Sequence, residues 1–369
     1  MCKSVKFASR SLPFPRSPRH LHGTTHPRQR CDYHFDEKWI RDNVATAQKR
    51  IFNDVTQTVG STPIVRLNNR LAVDGTELLL KLEYYNPTAS VKDRLSVGAI
   101  NFAEKCGKLR PGGTIVAASS GNLGIGLAAA GASLGYRVVI VIYEDTSYER
   151  KVVVQNLGAE LVLTPKEDGV RGSVEEAERI ASNTPGAFFV NQFIIPINRE
   201  IHRETTGPEI WEDTAGDVDA VVIGVGSGGT ISGVGSFLKE KNPGVKVFAV
   251  EPDNSAVLSG EKFSPHKIYG LGPNFKSPNF ADEVVDEILR VTEDDAAATA
   301  RQLARHAGIP AGLSGGASVA AARHVAERRD PSIRTIVTLV ADSADRYISS
   351  FLFQDAFDEN GVLRAHVGV

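Results

Sequence analysis

Lys92 stands in the run Asn86-Pro87-Thr88-Ala89-Ser90-Val91-Lys92-Asp93-Arg94, where the chain leaves an extended segment for a helix. A helix N-terminus carries partial positive charge, so an ammonium there is disfavoured by about 0.3–1 kcal/mol and a neutral amine is easier to keep. Neutral lysine is a nucleophile and a base. The plainer alternative is a solvated lysine held charged by its neighbour Asp93. Two glycine-rich loops elsewhere in the chain weigh against it.

In the first loop, the apolar run Ala220-Val221-Val222-Ile223 leads into Gly224-Val225-Gly226-Ser227-Gly228-Gly229-Thr230, and a helical stretch follows to Lys239. A strand, a glycine loop and a helix start in that order gather bare N–H groups around an anion, usually a phosphate. Gly226, Gly228 and Gly229 let the main chain approach closely, while Ser227 and Thr230 add hydroxyl donors. A tight turn alone would need only one or two of these glycines. Gly224, Gly226 and Gly229 also fit the G-x-G-x-x-G dinucleotide spacing, with Glu251 about 20 residues on, so a nicotinamide-dependent oxidoreductase is a rival reading. That rival leaves Lys92 and the second loop unexplained.

The second loop, Ala118-Ser119-Ser120-Gly121-Asn122-Leu123-Gly124-Ile125-Gly126, lies between the apolar run Thr114-Ile115-Val116-Ala117 and an Ala-rich helix reaching Leu134. Its hydroxyls and the Asn122 amide suit an amino-acid carboxylate and a phenolic oxygen. A second glycine turn is the simpler account of this loop alone. Two anion cradles and a helix-start lysine together suggest one phosphorylated cofactor and one zwitterionic substrate.

These motifs, in this order, resemble the fold-type II pyridoxal-phosphate enzymes of the cysteine synthase and cystathionine β-synthase family, from about residue 51 to residue 363. Asn86 to Arg94 is similar to the family's lysine motif, Ser119 to Gly124 to its substrate-carboxylate loop, and Gly226 to Thr230 to its phosphate loop. Thr146-Ser147-Tyr148-Glu149-Arg150, Asn191-Gln192-Phe193 and Gly312-Leu313-Ser314-Gly315-Gly316-Ala317 match further runs. The resemblance implies pyridoxal 5'-phosphate bound to Lys92 as a Schiff base, with Asn122 on its ring oxygen. Gly226, Ser227, Gly228, Gly229 and Thr230 would hold its phosphate, and Ser314 would face the pyridine nitrogen. A hydroxyl there makes a weaker electron sink than a carboxylate and favours prompt loss of a β-substituent. Serine, or serine activated as its O-acetyl or O-phospho ester, would pass through an aminoacrylate and take up a second nucleophile. Ser119, Ser120, Gly121, Asn122, Leu123 and Gln192 would bind the substrate carboxylate. No metal is implied, and the assembly expected is a homodimer.

Several residues depart from the family pattern. Leu123 replaces a common threonine, a loss of one hydrogen bond worth roughly 0.5–1.5 kcal/mol. An apolar residue there resembles relatives that add an amine to give 2,3-diaminopropionate-type products. Tyr269 replaces a common glutamine, Pro273-Asn274 follow the Gly270-Leu271-Gly272 turn, and Gly315 stands where serine is frequent. A thiol nucleophile is nevertheless expected, because Thr146 to Arg150 and the run Asp342-Ser343-Ala344-Asp345-Arg346-Tyr347 resemble the sulfur enzymes.

The 369 residues carry a net charge of −2, which indicates neither a nucleic-acid nor a membrane partner. Cys2, Cys31 and Cys106 form no CxxC pair and point to a reducing compartment, the cytoplasm, without a zinc or disulfide framework. The close spacing of Cys31 and His34 does not match the relatives that carry haem. From Met1 to Cys31 there is no acidic residue, a bias shared with organellar import peptides, although a disordered tail or a mis-assigned start explains it as well.

Apolar runs beginning at Leu78, Ile115, Val138, Leu161, Phe188, Ala220, Val247 and Thr335 alternate with helical stretches. Such alternation specifies parallel sheets covered on both faces, with ligands beyond the carboxyl ends of the strands. The fold expected is therefore α/β, and by resemblance tryptophan synthase β-like, with two parallel-sheet α/β domains. Residues 1–50 would be a basic, disordered extension, 51–89 and 190–365 a large cofactor-binding domain, and 90–189 a smaller mobile subdomain. Closing the cleft between them would keep water from the aminoacrylate.

Overall fold

Val, Ile and Leu fill the strand runs, and such β-branched and aliphatic stretches suit a sheet buried on both sides. In the computed structural model the described residues are 51–364, apart from 68, 69, 120 and 360. The expectations for residues 1–50, for Ser120 and for residue 365 fall outside them. From Phe52 onward the described residues belong to one compact unit.

The strands are β1 (Ile64–Arg66), β2 (Glu77–Leu82), β3 (Thr114–Ala118), β4 (Arg137–Tyr143), β5 (Glu160–Thr164), β6 (Phe188–Val190), β7 (Ala220–Gly224), β8 (Lys246–Pro252), β9 (Glu287–Val291) and β10 (Thr335–Val340). The α-helices are α1 (Lys92–Lys105), α2 (Asn122–Leu134), α3 (Tyr148–Asn156), α4 (Gly169–Asn183), α5 (Ile197–Ile201), α6 (Gly207–Asp213), α7 (Gly229–Lys241), α8 (Glu293–Gln302) and α9 (Leu313–Glu327). One sheet has the order β1-β2-β10-β7-β8-β9 and the other β5-β4-β3-β6. Every neighbouring pair is parallel except β1 with β2.

Alternate residues of the larger sheet enter different apolar clusters. Ala220, Val222, Val250 and Ile336 face one, and Val221, Ile223, Val247 and Val337 face the other. The smaller sheet does the same with Ile115, Val138 and Ile140 on one side and Val116, Val139 and Val141 on the other. Each such Val or Ile side chain contributes about 1.5–3 kcal/mol by leaving water, so helices must cover both faces. Eight strands coincide with the runs read from sequence. The two missed, β1 and β9, are sheet edges with exposed charged residues.

In the larger sheet β2, β10 and β7 are adjacent, and the segments leaving their carboxyl ends lead to Lys92, Asp342 and the Gly226 loop respectively. β3 of the smaller sheet leads to Asn122 in the same way. Segments far apart in sequence thereby converge at strand ends.

Candidate active site

Lys92 is the first residue of α1, and its backbone is fixed before its side chain is considered. The Val91 N–H donates to Ala341 O at 2.9 Å, and the Lys92 N–H to Ser90 Oγ at 3.1 Å. The carboxylate of Asp93 turns away to accept from the Thr88 N–H at 2.6 Å and from the Thr88 hydroxyl. Those bonds brace the turn through Ala89, whose φ of 56° is left-handed. Asp93 is therefore no counter-ion for Lys92, and the solvated-pair alternative fails. Burial pushes the Lys92 ammonium down to about 8, against the opposing pull of Asp342. Burial also raises the Asp93 carboxyl to about 6, despite the bonds from Thr88.

Arg94 anchors the same turn from below. Its guanidinium bonds Glu83 at 2.8 and 2.9 Å and Glu209 at 2.7 Å twice, and reaches Thr62 Oγ1 at 3.2 Å. Lys81, fully buried, pairs with Glu209 at 2.9 Å and donates to Thr62 O at 2.8 Å. Every charge in this group has an opposite one in contact, which a buried ion requires.

The loop after β7 presents a row of donors. Among the described residues, the N–H groups of Gly226, Ser227, Gly228, Gly229 and Thr230 meet no protein acceptor, while the next turn closes with Ser232 N–H to Gly228 O at 3.1 Å. Two of the glycines answer to packing as well. A Cβ on Gly229 would lie 2.2 Å from Asn198 Oδ1, and Gly228 has a φ of 82°. Beside the row, Thr230 Oγ1 is 3.1 Å from His202 Nε2, whose Nδ1 is 2.8 Å from Thr206 Oγ1. Burial, then the nearby Arg94 and Lys92 charges, hold His202 well below its usual range, so it is neutral and orients the threonine hydroxyl.

Asn122 opens α2 with its amide gripped on both sides: Nδ2 donates to Asp342 Oδ2 at 2.7 Å, and Arg346 Nη1 donates to Oδ1 at 3.0 Å. Ser314, 6% exposed, lies in the first turn of α9. One cavity is lined by Lys92, Asn122, Gly226, Ser227, Gly228, Thr230, Ser314, Tyr269 and Asp342. An amine with a lowered pKa, an amide, a row of N–H donors at a helix start and a hydroxyl are a donor set that fits pyridoxal phosphate.

The family model described as pyridoxal-phosphate dependent enzyme matches residues 55–342. The chain belongs to the pyridoxal-phosphate-dependent enzyme family. It is 40% identical over 314 residues to cysteine synthase 3 of Caenorhabditis elegans, covering 85% of this chain and 93% of that protein. The crystal structure of a cysteine synthase from Entamoeba histolytica is 41% identical with a TM-score of 0.80, covering 84% of this chain and 93% of the other. An O-ureido-L-serine synthase structure is 42% identical with a TM-score of 0.80, covering 84% and 97%. The protein is accordingly a pyridoxal-phosphate-dependent β-replacement enzyme with an α/β fold.

Within this family member the substrate-loop residues are less evenly placed. Ser119 Oγ accepts from the Gly124 N–H at 3.0 Å and the Gly121 N–H at 3.3 Å, so its hydroxyl secures the start of α2. Leu123 is buried in the apolar cluster of the smaller sheet, which leaves its main-chain N–H as the group it can offer an anion. The Gln192 carbonyl accepts from Asn198 Nδ2 at 2.7 Å and Asn279 Nδ2 at 3.0 Å. Ser119, Gly121, Leu123, Gln192 and Gly229 lie outside the cavity lining. The dinucleotide rival fails on Glu251, whose buried carboxylate is spent on the Leu258 and Ser259 N–H groups at 2.7 and 3.1 Å. Sequence reasoning missed His202 and Asp342 as parts of the site, although Asp342 lay in a run singled out for resemblance. No helix among the described residues is long and apolar enough to cross a membrane.

Proposed function

We propose that this enzyme replaces the β-substituent of an O-activated serine, O-acetylserine or O-phosphoserine, or of serine itself, with a thiol. The carrying observation is the placement of a buried, low-pKa Lys92 in one cavity with Asn122, Ser314 and the N–H row of Gly226 to Thr230. Bound pyridoxal phosphate supplies the electron sink that labilises the substrate Cα proton. Lys92 would be the residue that holds the cofactor's aldehyde end, and its Nζ, once neutral, would serve as the base for that proton. Gly226, Ser227, Gly228, Gly229 and Thr230 hold the phosphate, with His202 fixing the Thr230 hydroxyl. Asn122 would serve the ring oxygen and Ser314 the pyridine nitrogen, both lining the same cavity. Ser119, Ser120, Gly121, Asn122, Leu123 and Gln192 form the substrate-carboxylate side.

The cysteine synthase relatives favour sulfide or a small thiol as acceptor. An amine acceptor is the second reading, favoured by Leu123 and its buried apolar side chain. We further assign the large domain to 51–89 and 190–365 and a mobile subdomain to 90–189, in a cytoplasmic homodimer. Borohydride reduction followed by peptide mapping tests the core of this reading, with the label expected on Lys92. A label elsewhere, or none, overturns it. Incubation with serine, O-acetylserine and O-phosphoserine, each with sulfide, larger thiols and amines, then identifies the donor and the acceptor.

A further inference from the structure

Asp342 is 1% exposed and sits where three site segments are stitched together. Its carbonyl accepts from the Gly312 N–H at 3.1 Å, two residues before Ser314, and the preceding Ala341 carbonyl holds the Val91 N–H beside Lys92. Its carboxylate has room only because residue 312 is glycine, since a Cβ there would lie 2.0 Å from Asp342 Oδ1. Oδ2 takes two donors, Asn122 Nδ2 and the Tyr347 hydroxyl. Oδ1 is buried without a hydrogen-bond partner. On the far side of the same amide, Arg346 donates to Asn122 Oδ1.

An asparagine amide can turn over at little cost, exchanging its oxygen for its NH2 group, and only its partners decide which end faces a ligand. Here an acceptor-only carboxylate holds one N–H and a donor-only guanidinium holds the oxygen, so the turned-over amide would face acceptor with acceptor and donor with donor. One N–H of Asn122 is left to give. We propose that Asp342 and Arg346 are positioning residues that lock Asn122 in the orientation offering this N–H to an anionic ring oxygen of the cofactor. The proposal rests on the site reading above. The opposite charges at the two ends also polarise the amide, which strengthens the N–H as a donor. Tyr347 keeps the carboxylate in place by using its second acceptor direction.

The test is a double-mutant cycle on the holoenzyme, read as the dissociation constant for pyridoxal phosphate and as the visible circular dichroism of the bound cofactor. Asp342→Ala and Arg346→Met are each expected to weaken cofactor binding by about tenfold, the loss of one well-made hydrogen bond, and to change the dichroic band. In an Asn122→Ala background Arg346→Met should cost nothing further and Asp342→Ala should cost less than in the parent, because their effect on cofactor orientation passes through the amide. Asp342→Asn, whose side-chain oxygen can still accept from Asn122 Nδ2, should restore the band. Equal losses with and without Asn122, or failure of Asp342→Asn to restore the band while Asp342→Ala remains folded by far-ultraviolet dichroism, would overturn the assignment. Wild-type protein that gives no visible band with added cofactor would instead defeat the site reading, and this inference with it.

Discussion

At the scale of single residues, the position of Lys92 carries a measurable cost in the cofactor-free protein. Burial lowers its ammonium to about 8 from an ordinary value near 10.5. Between those values the unfolded chain binds more protons than the folded one, so stability rises with pH across that window. Below pH 8 both states are charged and the full penalty, up to about 3 kcal/mol, is present; above pH 10.5 both are neutral and it vanishes. Cofactor-free Lys92→Met should therefore unfold at higher denaturant than the parent at pH 7, with the gap closing as pH passes 10. An equal gap at both pH values would show that the change acts by packing. The placement of Lys92 at a helix start was legible because it depends on local sequence. Asp342 and His202 were not legible as site residues, because each works through another side chain that folding brings to it, Asn122 in one case and Thr230 in the other.

At the scale of elements, a stack of three side chains reaches the cavity through one of them, Tyr269. Arg150 of α3 lies over the Tyr269 ring at 5.7 Å and the Tyr347 ring at 5.3 Å, and the two rings are 6.2 Å apart and nearly parallel, at 17°. Tyr269 also lines the cavity, so an acceptor approaching Lys92 and Asn122 on that side passes its ring. Tyr269→Ala should raise the rate with a homocysteine-sized thiol relative to sulfide by roughly tenfold, within the range that pocket volume supports. Tyr269→Phe keeps the ring and should leave the ratio unchanged. Competition between the two thiols in one vessel reads the ratio directly, and an unaltered ratio in Tyr269→Ala would remove this residue from acceptor selection. The elements themselves show where sequence reading works. The buried strand β7 announces itself as an unbroken apolar run, because both faces are covered, and β10 does so with two buried threonines among its apolar residues. Edge strands β1 and β9 mix Arg66, Glu287 and Arg290 with apolar residues, and their pairing is decided by a neighbour far away in sequence.

At the scale of the whole molecule, the buried charges beneath Lys92 join segments that the two sheets would otherwise leave independent. Arg94 belongs to α1, which packs on α2 of the smaller sheet's side, yet its guanidinium is held by Glu83 after β2 and by Glu209 of α6. The first turn of α1 is thereby fixed to the larger sheet, and any closing motion of the 90–189 segment must bend beyond it. Breaking a buried pair by deleting one partner costs about 3–5 kcal/mol, so Arg94→Met should lower stability by that order in chemical denaturation. Arg94→Lys should recover little, since one ammonium cannot replace a planar fork bonded to two carboxylates. The pH dependence has a sign that distinguishes this network from simple packing. Burial alone would raise the Glu209 carboxyl, but hydrogen bonds and charge from Arg94 and Lys81 outweigh it and hold it at about 2. A depressed carboxyl stabilises the fold fully above its ordinary range near 4.5 and progressively less as pH falls towards 2. The stability gap between the parent and Glu209→Gln should accordingly be widest above pH 5 and shrink on acidification. A gap that stays constant down to pH 2.5 would mean that the carboxylate charge does not hold α1 in place.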